Sequence, residues 1–297
     1  MLKLYFKYFL KYLAAFPPPY AYLPLRCTGH LFRNWDDYSG GVLSRQALRL
    51  ASTSLQEVFQ CSAGKANAVV ADYLRFESRF VLENFWIKNQ QSEHIRRAFV
   101  AADVERLTAI LKGKNAVVVT AHTAGVCSLV ELLRIQGIAS GFVVMNTARK
   151  PIAEAEPIHL GMIELFSEWQ TRQRLLDVED GSTMDDCREL LNGGDSVIIA
   201  SDVPGYANRG VTVPFFGKEV WTPVGAARMA RDTGSSIIVA VPVAGHCYQP
   251  YKICIQEINT GGDIGEIMSR IYAAFEAAIR PALSCWFGWL FWQEIKK

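Results

Sequence analysis

The sequence lacks paired cysteines, an excess of either charge, internal repeats and low-complexity tracts, and each absence removes a class of protein. Its seven cysteines, Cys27, Cys61, Cys127, Cys187, Cys247, Cys254 and Cys285, are odd in number, scattered, and form no C-x-x-C pair. A disulfide framework or a zinc site is therefore not expected, and no metal or other cofactor is implied. Thirty-one basic residues stand against 29 acidic ones, a formal charge of +2, so there is no broad basic field to gather nucleic acid. No small-residue cleavage site follows an apolar run, so the opening residues do not read as a secretory signal, and the expected compartment is cytoplasmic and reducing.

What is present is length and apolar surface. With 297 residues, half of them hydrophobic, the chain can bury a substantial core, and its mean hydropathy of +0.10 is high for a freely soluble protein. The opening MLKLYFKYFLKYLAAF sets Lys3, Lys7 and Lys11 at helical spacing among Leu, Phe and Tyr. Pro17, Pro18 and Pro19 then stop that helix short of the ~20 apolar residues a bilayer span needs. The expectation is an amphipathic membrane-associating segment over residues 1–25 that lies on a membrane surface, followed by one α/β domain over residues 26–297. The closing CWFGWLFWQEIKK carries Trp286, Trp289 and Trp292 and suits either an interface or core packing.

Helices are expected first: two between about Leu43 and Lys88, and one over Ala101–Lys112. Strand signals follow at Ala116–Thr120, Gly141–Met145, Ser196–Ala200, Ser236–Val241 and Tyr251–Ile255. Helical patterns lie between, over about Ile152–Arg174, Asp185–Leu191 and from Thr222 onward, where Thr222 suits an N-cap and Pro223 a first helical position. Strands alternating with helices predict a mainly parallel central sheet sandwiched by helices.

In AVVVTAHTAGVCSLVELL, a buried strand ends and His122 follows it directly, before a small-residue turn and an apolar helix. Open α/β sheets place their chemistry at such strand ends, and a histidine there can take a proton from a hydroxyl or amine near neutral pH. A second stretch, SDVPGYANRGVTVPFFGKEVWTPVGAARMARDTG, runs from a strand end at Asp202 through an apolar VPFFG segment. Together the two resemble the lipid A late acyltransferases, a branch of the lysophospholipid acyltransferase superfamily. The likeness rests on D-x-n-G-V-x-V-P-F-F-G-x-x-x-x-T-P-x-G-x-A-R-x-A-R-x-T-G, matched at most positions from Asp202 to Gly234.

The resemblance implies an α/β sandwich at the cytoplasmic face of the inner membrane, an acyl carrier protein or acyl-CoA donor, and a catalytic histidine opening a His-x4-Asp/Glu motif. His122 matches that histidine, but the acidic position is Cys127. Three readings follow. Cys127 is a thiolate nucleophile near a helix N-terminus that takes the acyl group; or it is a buried small residue while Glu131 or Asp202 orients His122; or the chain only binds an acyl ligand. A thioesterase of the same donors is the nearest enzymatic rival, and a silent acyl-binding partner the non-enzymatic one. Among substrate-binding candidates, Asp202 stands at the second strand end, Phe215 and Phe216 suit the wall or floor of a groove, and Arg228 suits a phosphate. The family's arginine after the second strand is Asn146 here, with Arg149 three residues displaced, and the arginine-rich closing segment is missing. Loss of those positions points away from a phosphorylated lipid A precursor as acceptor.

Overall fold

The computed structural model describes residues 45–138, 140–144, 174–178, 181–202 and 210–297, together with residues 12, 15–18 and 20–22. The amphipathic opening helix falls almost wholly outside these residues, as does the helix expected over Ile152–Arg174 as far as residue 173. No helix among the described residues is long and apolar enough to cross a membrane.

Two helices lead, α1 (Arg45–Phe59) and α2 (Ala63–Lys88), followed by the short α3 (Ser92–Arg97) and by α4 (Ala101–Leu111). The Ser62 side chain accepts from the Lys65 N–H to start α2. Alternation then begins: β1 (Ala116–Thr120), α5 (Val126–Ile135), β2 (Ser140–Val144), β3 (Arg174–Asp177), α6 (Thr183–Asn192) and β4 (Ser196–Ala200). A hairpin, β5 (Gly210–Phe215) and β6 (Lys218–Pro223), leads to α7 (Gly225–Thr233), β7 (Ser236–Val243), β8 (Lys252–Ile258) and α8 (Ile264–Ile279). Residues 280–290 form two 3₁₀ turns, and α9 (Trp292–Ile295) follows.

Among the described residues the central sheet has the order β3-β2-β4-β1-β7-β8, parallel throughout except for β8 against β7. The AVVVT of β1 is buried at every position and sits in the middle, as an unbroken β-branched run covered on both faces requires. The five strand signals read from the sequence are all strands, shifted by a residue or more at several ends. Arg174–Asp177 is a strand rather than the tail of a helix, pairing with β2 from Gly141 to Val144. Thr222 and Pro223 do not start a helix either. They close β6, where the Thr222 hydroxyl donates to the Ser201 carbonyl at 3.4 Å, and α7 is capped by Val224 with no side-chain bond.

Candidate active site

The register of two neighbouring parallel strands assembles the site. Thr120 of β1 lies opposite Ala200 of β4, and Ser201 continues the ladder by donating its N–H to the Thr120 carbonyl at 3.1 Å. Two residues beyond the paired positions, His122 and Asp202 leave the strands side by side, 80 residues apart in sequence. His122 Nδ1 meets Asp202 Oδ1 at 2.7 Å, and the His122 backbone N–H donates to Oδ2 at 2.8 Å. The Trp286 indole N–H donates to the same Oδ2 at 2.6 Å. An ionised carboxylate only accepts, so Nδ1 carries the proton and Nε2 is the ring's basic nitrogen.

Asp202 is fully buried, whereas the His122 side chain is 36 % exposed. Burial alone would lower the imidazole's affinity for a proton; the charge and hydrogen bond of Asp202 outweigh it and raise the pKa above its ordinary value. Burial likewise pushes the Asp202 carboxyl up, but the imidazole, the indole N–H and the His122 N–H hold it below the usual carboxylate range.

Cys127 is the second residue of α5 and only 3 % exposed. Burial, followed by the nearby Glu83 carboxylate, pushes its thiol up to about 12, opposite to the lowering expected of a thiol at a helix N-terminus. Glu131, the other acid weighed as a partner for His122, is spent on Arg134 at 2.7 Å within its own helix. Cys127 occupies the acidic position of the family motif; the carboxylate that faces the imidazole comes from Asp202.

Phe215 and Phe216 do not line an open groove. They are 0 % and 3 % exposed and pack on Trp286 with ring centroids at 5.5 and 5.9 Å. Phe216 and Gly217 form the two-residue turn of the hairpin with φ of 50° and 73°, a left-handed pair that favours the β5–β6 twist but strains a phenylalanine. That conformation is held by the Phe216 N–H donating to Glu276 Oε2 at 2.6 Å and by Trp289 at 5.4 Å. Arg228 is exposed on α7 and makes no ion pair among the described residues. Arg149 and Asn146 lie outside the described residues. Of the two roles the sequence allows Trp286, interface or core packing, burial favours packing, but its bond to Asp202 is not foreseen in the sequence. The available signal was chemical, since a fully buried indole N–H usually finds an acceptor.

The parallel sheet of this α/β fold thus presents at its carboxyl edge a partly exposed imidazole clamped by a buried carboxylate, an arrangement chemically able to take up a proton. The chain matches the family model described as bacterial lipid A biosynthesis acyltransferase over residues 5–293, and it belongs to that family of acyltransferases. No curated protein gives a match.

Proposed function

We propose that the protein transfers an acyl chain from a thioester of acyl carrier protein or CoA to a hydroxyl or amine in a single step, with His122 as general base and Asp202 orienting it. The observation that carries this reading is the three-bond clamp on Asp202, which supplies the carboxylate that the family motif lacks at Cys127. His122 Nε2 takes the proton of the acceptor as its oxygen or nitrogen attacks the thioester carbonyl, and the departing thiolate receives a proton as the C–S bond breaks. Supply of that carboxylate also removes the main support for a silent acyl-binding partner. The absence of the family's arginines favours an acceptor with less phosphate than a lipid A precursor.

Cys127 is a space-filling residue on this reading. Burial pushes that thiol up to about 12, which keeps it protonated at pH 7. Intact-mass measurement after mixing the protein with dodecanoyl-CoA or dodecanoyl carrier protein should show no adduct, and Cys127→Ala should keep its turnover within about threefold of wild type. An acyl adduct on Cys127, or a dead Cys127→Ala, would establish the covalent route instead. Free fatty acid as the sole product would make the protein a thioesterase, and no turnover would make it a binding partner. Cys127→Asp, which restores the family pattern on paper, should instead cost stability, since it buries a second carboxylate beside Glu83.

We place the protein peripherally at the cytoplasmic face of the inner membrane, docked through residues 1–25. Family membership, the lysine and aromatic pattern of that segment, and the exposure of Tyr12 (67 %) and Tyr20 (65 %) support this. Anionic vesicles should co-sediment with the full chain at low salt and release much of it at high salt, and deletion of residues 1–16 should abolish binding. Undiminished binding by the truncated chain would rule this docking mode out.

A further inference from the structure

We propose that Trp286 is a positioning residue for the acyl transfer: held against the His122 turn, its indole N–H fixes the Asp202 carboxylate so that Oδ1 keeps His122 in the Nδ1–H form with Nε2 free. This rests on the His122–Asp202 reading above and extends it to a residue that touches no reacting atom.

The backbone on both sides of Trp286 is stitched to the turn that carries His122. Ala124 donates its N–H to the Cys285 carbonyl at 2.9 Å, Thr123 and Trp286 form an antiparallel bridge, and Phe287 donates to the His122 carbonyl at 2.8 Å. The indole is thus delivered to Asp202 by the same chain segment that pins the histidine. Its ring has nowhere else to go. It is fully buried, with Trp289 at 4.7 Å, Phe215 at 5.5 Å and Phe216 at 5.9 Å. Residue 288 must be glycine for the ring to sit there, because a Cβ at Gly288 would lie 2.0 Å from Trp286 Cζ2. Beyond the ring the segment is anchored again, by Lys296 on Glu57 at 2.7 Å and by the Lys297 N–H on the Glu219 carbonyl at 3.0 Å.

A contrast within the same cluster separates bulk from hydrogen bonding. Trp292 is also fully buried, yet its indole N–H has no partner among the described residues, so within them that position uses the ring alone. At Trp286 the N–H is spent on Asp202, the carboxylate that faces the imidazole. With both Oδ2 bonds made, Oδ1 is left pointing at Nδ1 and the carboxylate cannot rotate without breaking a buried bond.

The test uses the full chain labelled with ¹⁵N-histidine, with the His122 signals assigned by their loss in His122→Gln. Ring ¹⁵N shifts report the tautomer of the neutral imidazole and need no substrate. Wild type should show the Nδ1–H form alone. Benzothienylalanine at 286, which keeps the ring shape and removes the N–H, should give a mixture in which the Nε2–H form is the larger fraction, and turnover of the dodecanoyl thioester should fall at least tenfold. Gly288→Ala should do the same by displacing the indole, which provides a second route if the analogue does not fold. Trp292→Phe should leave the tautomer unchanged. If Asp202→Asn alters the tautomer but the 286 and 288 variants do not, the role of Trp286 is overturned and the His122–Asp202 pair stands. Should none of them alter it, the pair itself fails. A change at 286 without one in Asp202→Asn would mean that Trp286 acts by another route, which also overturns the proposal.

Discussion

Asp202→Asn should lower turnover by roughly 10²–10⁴ while leaving the fold intact, the order seen when an orienting carboxylate is lost beside a catalytic histidine. The structure gives a specific reason for so large an effect from a near-isosteric change. Two donors, the His122 backbone N–H and the Trp286 indole, meet Oδ2. They will draw the asparagine carbonyl to that side, so the new amide NH₂ must occupy the Oδ1 position and point at Nδ1. A donor facing Nδ1 forces the proton onto Nε2, and the nitrogen that should accept the acceptor's proton no longer can. His122→Ala should lose a comparable factor, and the double variant little more, because the two residues act as one unit. Steady-state thiol release from an acyl thioester donor in the presence of acceptor measures all three, and near-wild-type turnover in either single variant would remove the pair from the mechanism.

The same pair sets a pH dependence whose direction is fixed. Asp202 raises the His122 pKa above the ordinary 6.5, and the base must be unprotonated to act, so turnover should fall on the acid side with its midpoint above that value. Without the carboxylate charge, burial acts unopposed and the midpoint of any residual activity in Asp202→Asn should move to lower pH. For stability the signs run oppositely for the two partners. The contribution linked to His122 is complete below 6.5 and is lost as pH rises through its raised folded value; that of Asp202 is complete above 3.8 and is lost as pH falls through its depressed one.

Much of this architecture is legible in the sequence because buried parallel strands declare themselves. AVVVT and SVIIA are short β-branched runs with nothing polar inside, and each is a strand with the expected bounds. The position of His122 at a strand end is legible for the same reason. Its partner is legible only as a choice between Glu131 and Asp202, because the pairing depends on which strands become neighbours: β4 lies next to β1 only through the crossover order of the sheet. A sequence motif that expects an acid five residues after the histidine points to Cys127, whereas the register of Thr120 with Ala200 brings Asp202, rather than Glu131, against the imidazole. The hairpin was hidden differently. Thr222–Pro223 has the chemistry of a helix start, but the threonine hydroxyl is committed to Ser201 and the proline closes a two-stranded ribbon, so tertiary contacts override a sound local signal. Phe216 at positive φ breaks a local rule beneath the site and is held there by the aromatic cluster that also positions Trp286.

Arg79→Met should destabilise the protein by about 3–5 kcal/mol, the usual cost of leaving one partner of a buried ion pair uncompensated. Arg79 and Glu83 of α2 are 0 % and 1 % exposed and meet at 2.6 Å. The guanidinium also lies 3.5 Å from the Tyr251 ring centroid and donates to the carbonyls of Gln249 at 2.5 Å, Cys247 at 3.2 Å and Ala98 at 3.3 Å. Glu83 in turn accepts from Tyr22 at 2.7 Å and from Ser128 at 2.6 Å, so the pair ties α2 to the β7–β8 loop and to the helix that follows His122. Loss of the arginine leaves the carboxylate charge uncompensated and takes a donor from three backbone carbonyls, of which Ala98 keeps another, the Tyr251 N–H at 2.8 Å. A loss of that size corresponds to a fall of roughly 10 °C in Tm for a chain this long. The double variant Arg79→Met/Glu83→Leu separates the two costs. Removing both charges recovers the electrostatic part, but each unsatisfied carbonyl still costs about 1–3 kcal/mol, so the double variant should lie between wild type and the single variant. Denaturant unfolding of the three proteins at pH 7 measures this, and a single variant within about 1 kcal/mol of wild type would show that the buried pair contributes little to holding the helix behind His122 in place.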